Sequence, residues 1–254
     1  MNYNDLVNTA VEAGYLLVAN GAEIYRAEES MQRIFRAYGV ETGEVFVIPT
    51  LLEVTVIMPD GRPITRIKRV PQRTVNLDRV EQVNALCRHI WSDKPQLSEI
   101  CAELKRIRRR PTLSPPVQAL AYALVAAAFT LFYGGCWQDA VVALFCGAAI
   151  WLTTRCLERF RVNSFFVYVA ASFAAASISL AAANYNVALS YDKMIIGSLM
   201  NLVPGVAITN FMRDIIAGDL IAGILRLTES VLIATAIAIG AGIALTASRM
   251  ILGV

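Results

Sequence analysis

Charge is concentrated at one end of this chain. Residues 1–116 hold 30 of its 43 Asp, Glu, Lys and Arg side chains, and the longer remainder, 117–254, holds 13. An ionised side chain at the centre of a bilayer costs about 2.5–3.5 kcal/mol or more. Only the second part can therefore supply membrane spans, and the first must fold in water. Hydrophobic residues make up 56% of the chain, too many for an ordinary soluble domain of 254 residues. The formal net charge is only +3, split as +2 and +1 between the parts, so nothing in the balance calls for a nucleic-acid partner. The expected architecture is an α-helical membrane protein with about five transmembrane helices, preceded by a small cytoplasmic α+β domain. The boundary falls at residues 110/111.

Within residues 1–110 the apolar positions change period twice. Leu6, Val7, Ala10, Val11, Gly14, Leu17 and Val18 recur at helical spacing. Asn20 then reads as the cap of a second helix, with Glu23 completing a capping box. Ile24, Met31, Ile34, Phe35 and Tyr38 form its apolar stripe, Glu29 and Arg33 pair outside it, and Gly39 ends it. The β-branched runs 44–49 and 51–58, then a Pro59-Asp60-Gly61 turn and 62–70, predict a hairpin sheet. Two helices follow, near 76–91 (Leu77, Val80, Val83, Leu86 and Ile90 inward) and 97–109. The order is ααβββαα.

Little in this half points to catalysis. Glu23, Arg26 and Glu28 lie within one and a half helical turns, and His89 is the only histidine. The simpler reading makes Glu23 a cap, Arg26 and Glu28 solvated, and places His89 on a partly buried helix face. No nucleophile elbow, phosphate loop or metal-ligand spacing occurs, and the five cysteines form no CxxC pair, so neither an enzyme nor a cofactor is expected. The N-terminal stretch lacks the basic and apolar regions of a signal peptide.

Five apolar segments follow, near 117–135, 140–154, 164–183, 194–212 and 220–248. KRIRRR (105–110) and the basic 155–161 loop are two spans apart and share a side, which the positive-inside rule makes cytoplasmic. The expected topology is N-terminus in and C-terminus out, in a multi-pass membrane protein. AASFAAAS in the third segment and the Ala234, Ala238, Gly242 row in the fifth are small-residue faces suited to close helix contact, which points to a packed bundle and an oligomer within the lipid bilayer.

The fourth segment is interrupted. Residues 201–214 read NLVPGVAITNFMRD. Pro204 lacks an N–H and blocks the Met200 carbonyl, and Gly205 adds freedom. Steps of four place Gly197, Asn201, Gly205, Thr209 and Arg213 on one face, with Asn210 and Asp214 beside it. Two readings stand: a packing kink with polar helix contacts, or the discontinuous helix of a solute site. In the second, Asn201, Thr209, Asn210 and the backbone at Pro204 and Gly205 contact a small polar solute. Arg213 attracts a carboxylate, and Asp214 or Asp139 responds to protons.

The segments NGAEIYRAEESMQRIFRAYGV, FYGGCWQDA and LMNLVPGVAITNFMRDIIAGDLIAGILRLTES resemble the threonine/serine exporter (ThrE) family across residues 20–230. The resemblance implies an inner-membrane exporter with a cytoplasmic N-terminal domain. It also implies a split arrangement in which a separate small membrane protein supplies the remaining spans. Threonine, serine or a dicarboxylate such as succinate are the implied solutes. Pro204, Gly205, Thr209, Asn210, Arg213, Asp214, Gly218, Asp219, Gly134, Gly135 and Asp139 are the positions it carries over, without roles. Two alternatives to an exporter are a membrane-anchored enzyme and a ligand-sensing module acting through residues 1–110.

Overall fold

The computed structural model describes residues 2–252 except 42 and 187. It divides into two compact units: Met1–Pro111 with Gly205–Thr228, and Thr112–Pro204 with Glu229–Val254.

In the first unit, α1 (Tyr3–Ala19) and α2 (Ile24–Ala37) precede an antiparallel sheet of β1 (Gly43–Ile48), β2 (Leu51–Ile57) and β3 (Pro63–Arg69), in the order β1-β2-β3. Helices α3 (Leu77–Asp93) and α4 (Leu97–Arg109) follow. The ααβββαα order is as expected. So are the inward faces: Leu6, Ala10, Leu17, Ile24, Met31, Phe35, Leu52, Val54, Ile90 and Leu104 are all at or below 1% exposed, in one continuous core. Each of the larger aliphatic or aromatic side chains contributes roughly 1.5–3 kcal/mol by leaving water. Glu29 and Arg33 pair at 2.6 Å on the outside.

Two local expectations are corrected. Asn20 does not cap α2; it closes α1, and its Nδ2 donates to the Leu16 carbonyl. The residue after it, Gly21, has φ +92°, a turn that a side chain would strain. Helix α2 thus starts three residues later than its capping-box pattern implies, with Glu23 at the N-cap making no side-chain capping bond. Leu77, expected inward, is 58% exposed because it opens α3 at the surface.

The first unit also takes in α9 (Gly205–Ala217) and the opening turns of α10 (Leu220–Leu252). Gly218, at φ +99°, turns the chain between them, and Ala222 joins the core of α1–α4.

The second unit is helical: α5 (Pro115–Phe132), α6 (Trp137–Arg159), α7 (Ser164–Tyr185), α8 (Tyr191–Leu199) and α10 from Glu229 onward. Among the described residues four helices, α5, α6, α7 and α10, are long and apolar enough to cross a bilayer. Small residues bring them together. Ala171, Ser172, Ala175, Ala176 and Ser179 of α7 are fully buried. A Cβ at Gly147 would fall on the backbone of Tyr122 and Ala123, and one at Gly197 on that of Thr130. The packed row of α10 is Ala236, Gly240 and Ala244 rather than the expected Ala234, Ala238 and Gly242, the first two of which face outward.

The expected fourth span is also corrected: 194–212 is not one helix. Helix α8 stops at Leu199, residues 200–204 form turns, and α9 begins at Gly205. Pro204 sits immediately before a helix start, where its missing N–H costs nothing. The face Gly197–Asn201–Gly205–Thr209–Arg213 therefore does not exist as a continuous stripe. At 9 and 13 residues, neither helix alone reaches the roughly 20 needed to span hydrocarbon.

Candidate functional site

In the first unit, the short link between α1 and α2, Asn20-Gly21-Ala22-Glu23, is held by four side chains from α9 and α10. Asn210 Nδ2 donates to the Gly21 carbonyl at 2.8 Å. Arg226 Nη2 donates to the Ala22 carbonyl at 2.6 Å. Arg213 Nη1 donates to Glu23 Oε1 at 2.7 Å. Asp214 Oδ1 accepts the Ile24 N–H at 3.1 Å, and so caps α2 from 190 residues away. Helix N-termini leave backbone N–H groups unsatisfied and favour negative charge. Asp214 meets both demands that the α2 sequence does not meet locally.

Asp214 is fully buried, and its other oxygen lies 3.0 Å from Arg226 Nη1, itself 8% exposed. Burial pushes the Asp214 carboxyl up from its ordinary range, against the Arg226 charge and the Ile24 N–H. For Glu23 the balance is reversed. Burial pushes it up, but its own backbone N–H, the Arg213 hydrogen bond and the charges of Arg26 and Arg213 together hold it below the usual range. Arg26 Nε stands 3.3 Å from Glu23 Oε2. One carboxylate is thus shared by two arginines, and a second is sealed with a third.

Glu28, one turn further along α2, accepts the Val47 N–H at 2.8 Å. Burial raises its pKa to about 7; the Val47 N–H opposes the rise, and the Asp219 and Asp214 charges add to it. A carboxyl with a raised folded pKa stabilises the fold fully below its unfolded value of 4.5, and that contribution is lost as pH rises through about 7. Thermal melts of the purified chain are therefore expected to fall between pH 5 and 8. Glu28→Gln, which keeps an acceptor for Val47, should flatten this slope and gain about 1–2 kcal/mol at pH 8, after allowance for partial solvation. An unchanged pH slope would rule out Glu28 as its source.

In the second unit, Asp139 is 1% exposed at the start of α6. Its Oδ2 accepts the Cys136 N–H and its Oδ1 the Ser190 N–H, both at 2.9 Å. Lys193 Nζ donates to the Gly134 carbonyl at 2.8 Å. The FYGGCWQDA segment is thus a tie between the α5–α6 turn and the start of α8. Asn201 Nδ2 donates to the Tyr122 carbonyl of α5 at 3.1 Å.

The sequence-expected residues divide accordingly. Asn201, Pro204 and Asp139 belong to the second unit, whereas Gly205, Thr209, Asn210, Arg213 and Asp214 belong to the first. Thr209 is exposed, with its hydroxyl turned back to the Gly205 carbonyl. Arg226 was missed, as were the Ala22 carbonyl and Glu23 as partners. A signal existed: two arginines and an aspartate near an apolar segment need counter-charges, and NGAEIYRAEE supplies them. His89, expected on a partly buried face, is exposed and lies 2.7 Å from Asp93 one turn along α3. All five cysteines are free.

An α+β unit joined to four apolar helices of spanning length defines a multi-pass membrane protein. The family model ThrE, described as "Putative threonine/serine exporter", matches residues 8–247, and the chain belongs to that family. It is similar to "Threonine/serine exporter" of Corynebacterium glutamicum, at 23% identity over 97% of this chain and 52% of that protein. It is also similar to "Probable succinate transporter subunit YjjP" of Escherichia coli, at 24% identity over 93% of this chain and 92% of that protein. The chain thus spans about half the first relative and nearly all of the second. No solved structure matches it.

Proposed function

We propose that the chain is one component of a secondary exporter of small polar carboxylate metabolites in the bacterial inner membrane. Its solutes are threonine- and serine-type amino acids or a dicarboxylate such as succinate. The carrying observation is the pattern of coverage. The chain aligns with half of one relative named as an exporter and with almost the whole of another named as a transporter subunit. That pattern supports a division of labour in which a separate small membrane protein supplies further spans. The N-terminal unit is cytoplasmic in this reading, on the side of the basic runs 105–110 and 155–161. Helix α8 and the interruption after it return the chain to that side, and α10 then carries the C-terminus outward.

In the same reading the second unit offers Asn201 as a solute contact and Asp139 as a proton-coupling candidate, and the first offers Thr209 and Asn210 as solute contacts and Asp214 as a proton-coupling candidate. Arg213 attracts the solute carboxylate. Because its guanidinium already pairs with Glu23, a solute carboxylate would take that place by exchange. Labelled threonine, serine and succinate are followed leaving cells that carry this chain, with and without a neighbouring small membrane protein. Efflux of at least one solute is expected only when both are present; no efflux of any would defeat the reading. At equal expression, Arg213→Ala should lower efflux tenfold or more, from about 1.5–3 kcal/mol of lost charge-assisted bonding. Glu23→Gln removes the same ion pair but leaves the cation free, and should preserve or raise efflux. Equal loss in both variants would reduce Arg213 to a structural tie.

A further inference from the structure

Helix α9 is inside out for a helix in water. Its only buried residues are Asn210 and Asp214, which bind the 20–24 segment. Three of its large apolar side chains point away: Ile208 is 38% exposed, Met212 54% and Ile216 82%, while Val206, Phe211 and Ile215 are partly covered. A helix on a soluble domain turns its apolar stripe to the core and its polar residues to solvent. The reversed arrangement places something other than water against the outer face.

The apolar surface does not end with α9. After the Gly218 turn it continues through Leu220, Ile221, Ile224 and Leu225, all exposed, in the opening turns of α10. Those residues begin a candidate membrane span, Leu220–Met250. The face therefore leads into a helix whose length and composition suit acyl surroundings. Thirteen residues rise only about 20 Å, short of the roughly 30 Å hydrocarbon core. An apolar face of that length, backed by bound polar groups, fits the plane of the headgroup–acyl boundary. Arg213, on the flank of the helix and half exposed, has the stem length to keep its head at the water side of that boundary.

We propose that α9 is an interfacial helix: its outer face, Ile208, Met212 and Ile216, lies in the bilayer surface, while its inner face grips the 20–24 segment of the N-terminal unit. The occupant of the exposed face is phospholipid. The N-terminal unit is in consequence seated on the membrane through α9 rather than tethered only by the ends of its chain. This placement stands on burial and helix length, and holds whether or not the chain exports anything.

The test uses the full chain reconstituted in phosphatidylethanolamine–phosphatidylglycerol vesicles, with a benzophenone amino acid in place of Met212, Ile216, Ile239 or Glu81, one at a time. All four positions are exposed, so the substitution leaves the packing alone. After illumination, mass spectrometry should find phospholipid adducts at 212 and 216 in yields within about threefold of those at 239, and essentially none at 81. A second readout is depth. Nitroxide-labelled lipids bearing the label near the headgroup should quench an environment-sensitive fluorophore at 216 more than lipids labelled near the chain end, with the reverse order at 239. Adducts at 212 and 216 to protein instead of lipid, no adducts at either, or stronger deep than shallow quenching at 216 would each overturn the proposal.

Discussion

Replacing Arg226 with methionine is expected to destabilise the folded chain by about 3–5 kcal/mol, the largest single effect of any side-chain change in the first unit. The reason is what it leaves behind. Asp214 has no exposed surface. Without the guanidinium 3.0 Å away, its second oxygen would be an uncompensated charge in the interior. The Ala22 carbonyl would lose its bond from Arg226 as well. The double variant Arg226→Met, Asp214→Asn should recover a large part of the loss, because asparagine can still accept the Ile24 N–H and buries no charge. Thermal melts of the detergent-purified chain measure both. A double variant no better than the single one would mean that Arg226 matters through its other contacts and not through the ion pair.

Gly147→Leu should be nearly as severe in the second unit. A Cβ there meets the Tyr122 carbonyl and the Ala123 Cα, which are backbone atoms and cannot rotate aside. Helices α5 and α6 would have to separate. Overpacking of this kind costs typically about 1–3 kcal/mol where side chains can yield, and more where the backbone must move. A loss of at least about 3 kcal/mol, or roughly 6–12 °C in melting temperature for a chain of this size, is expected. Gly242→Leu is the matched control. A Cβ at Gly242 meets no atom within 4 Å, and leucine is a better helix former than glycine, so no loss should appear. Equal losses in the two variants would show that leucine harms this bundle for some reason other than contact at Gly147.

The elements that could be read from the residues are those whose signal is local. The period of Leu6, Ala10 and Leu17, the β-branched run at 51–58 and the length of α7 each lie within one stretch of chain, and each was recovered. The misreadings share a cause. Asn20-Gly21-Ala22-Glu23 has the letters of a capping box, yet the cap of α2 is Asp214. No window around residue 20 contains that information. The segment 194–212 has the hydropathy of a span because averaging over it hides the turns at 200–204 and cannot tell which face of α9 is occupied.

The same division holds for the candidate site. The polar residues of TNFMRD stood out in sequence because they interrupt an apolar segment. Their partners were a matter of distance in space. Asn210, Arg213 and Asp214 close on a four-residue link near the N-terminus, together with Arg226, whose bond to the Ala22 carbonyl spans 204 residues. By itself, the sequence determined which part of the chain is charge-rich and which supplies apolar helices of spanning length, since hydropathy adds along it. It also determined the helical period of α1 and α2. Only the tertiary structure decided that residues 205–228 join the N-terminal unit. That choice rests on pairing buried charges and satisfying a helix N-terminus, and both depend on groups far apart in the chain meeting at hydrogen-bond distance.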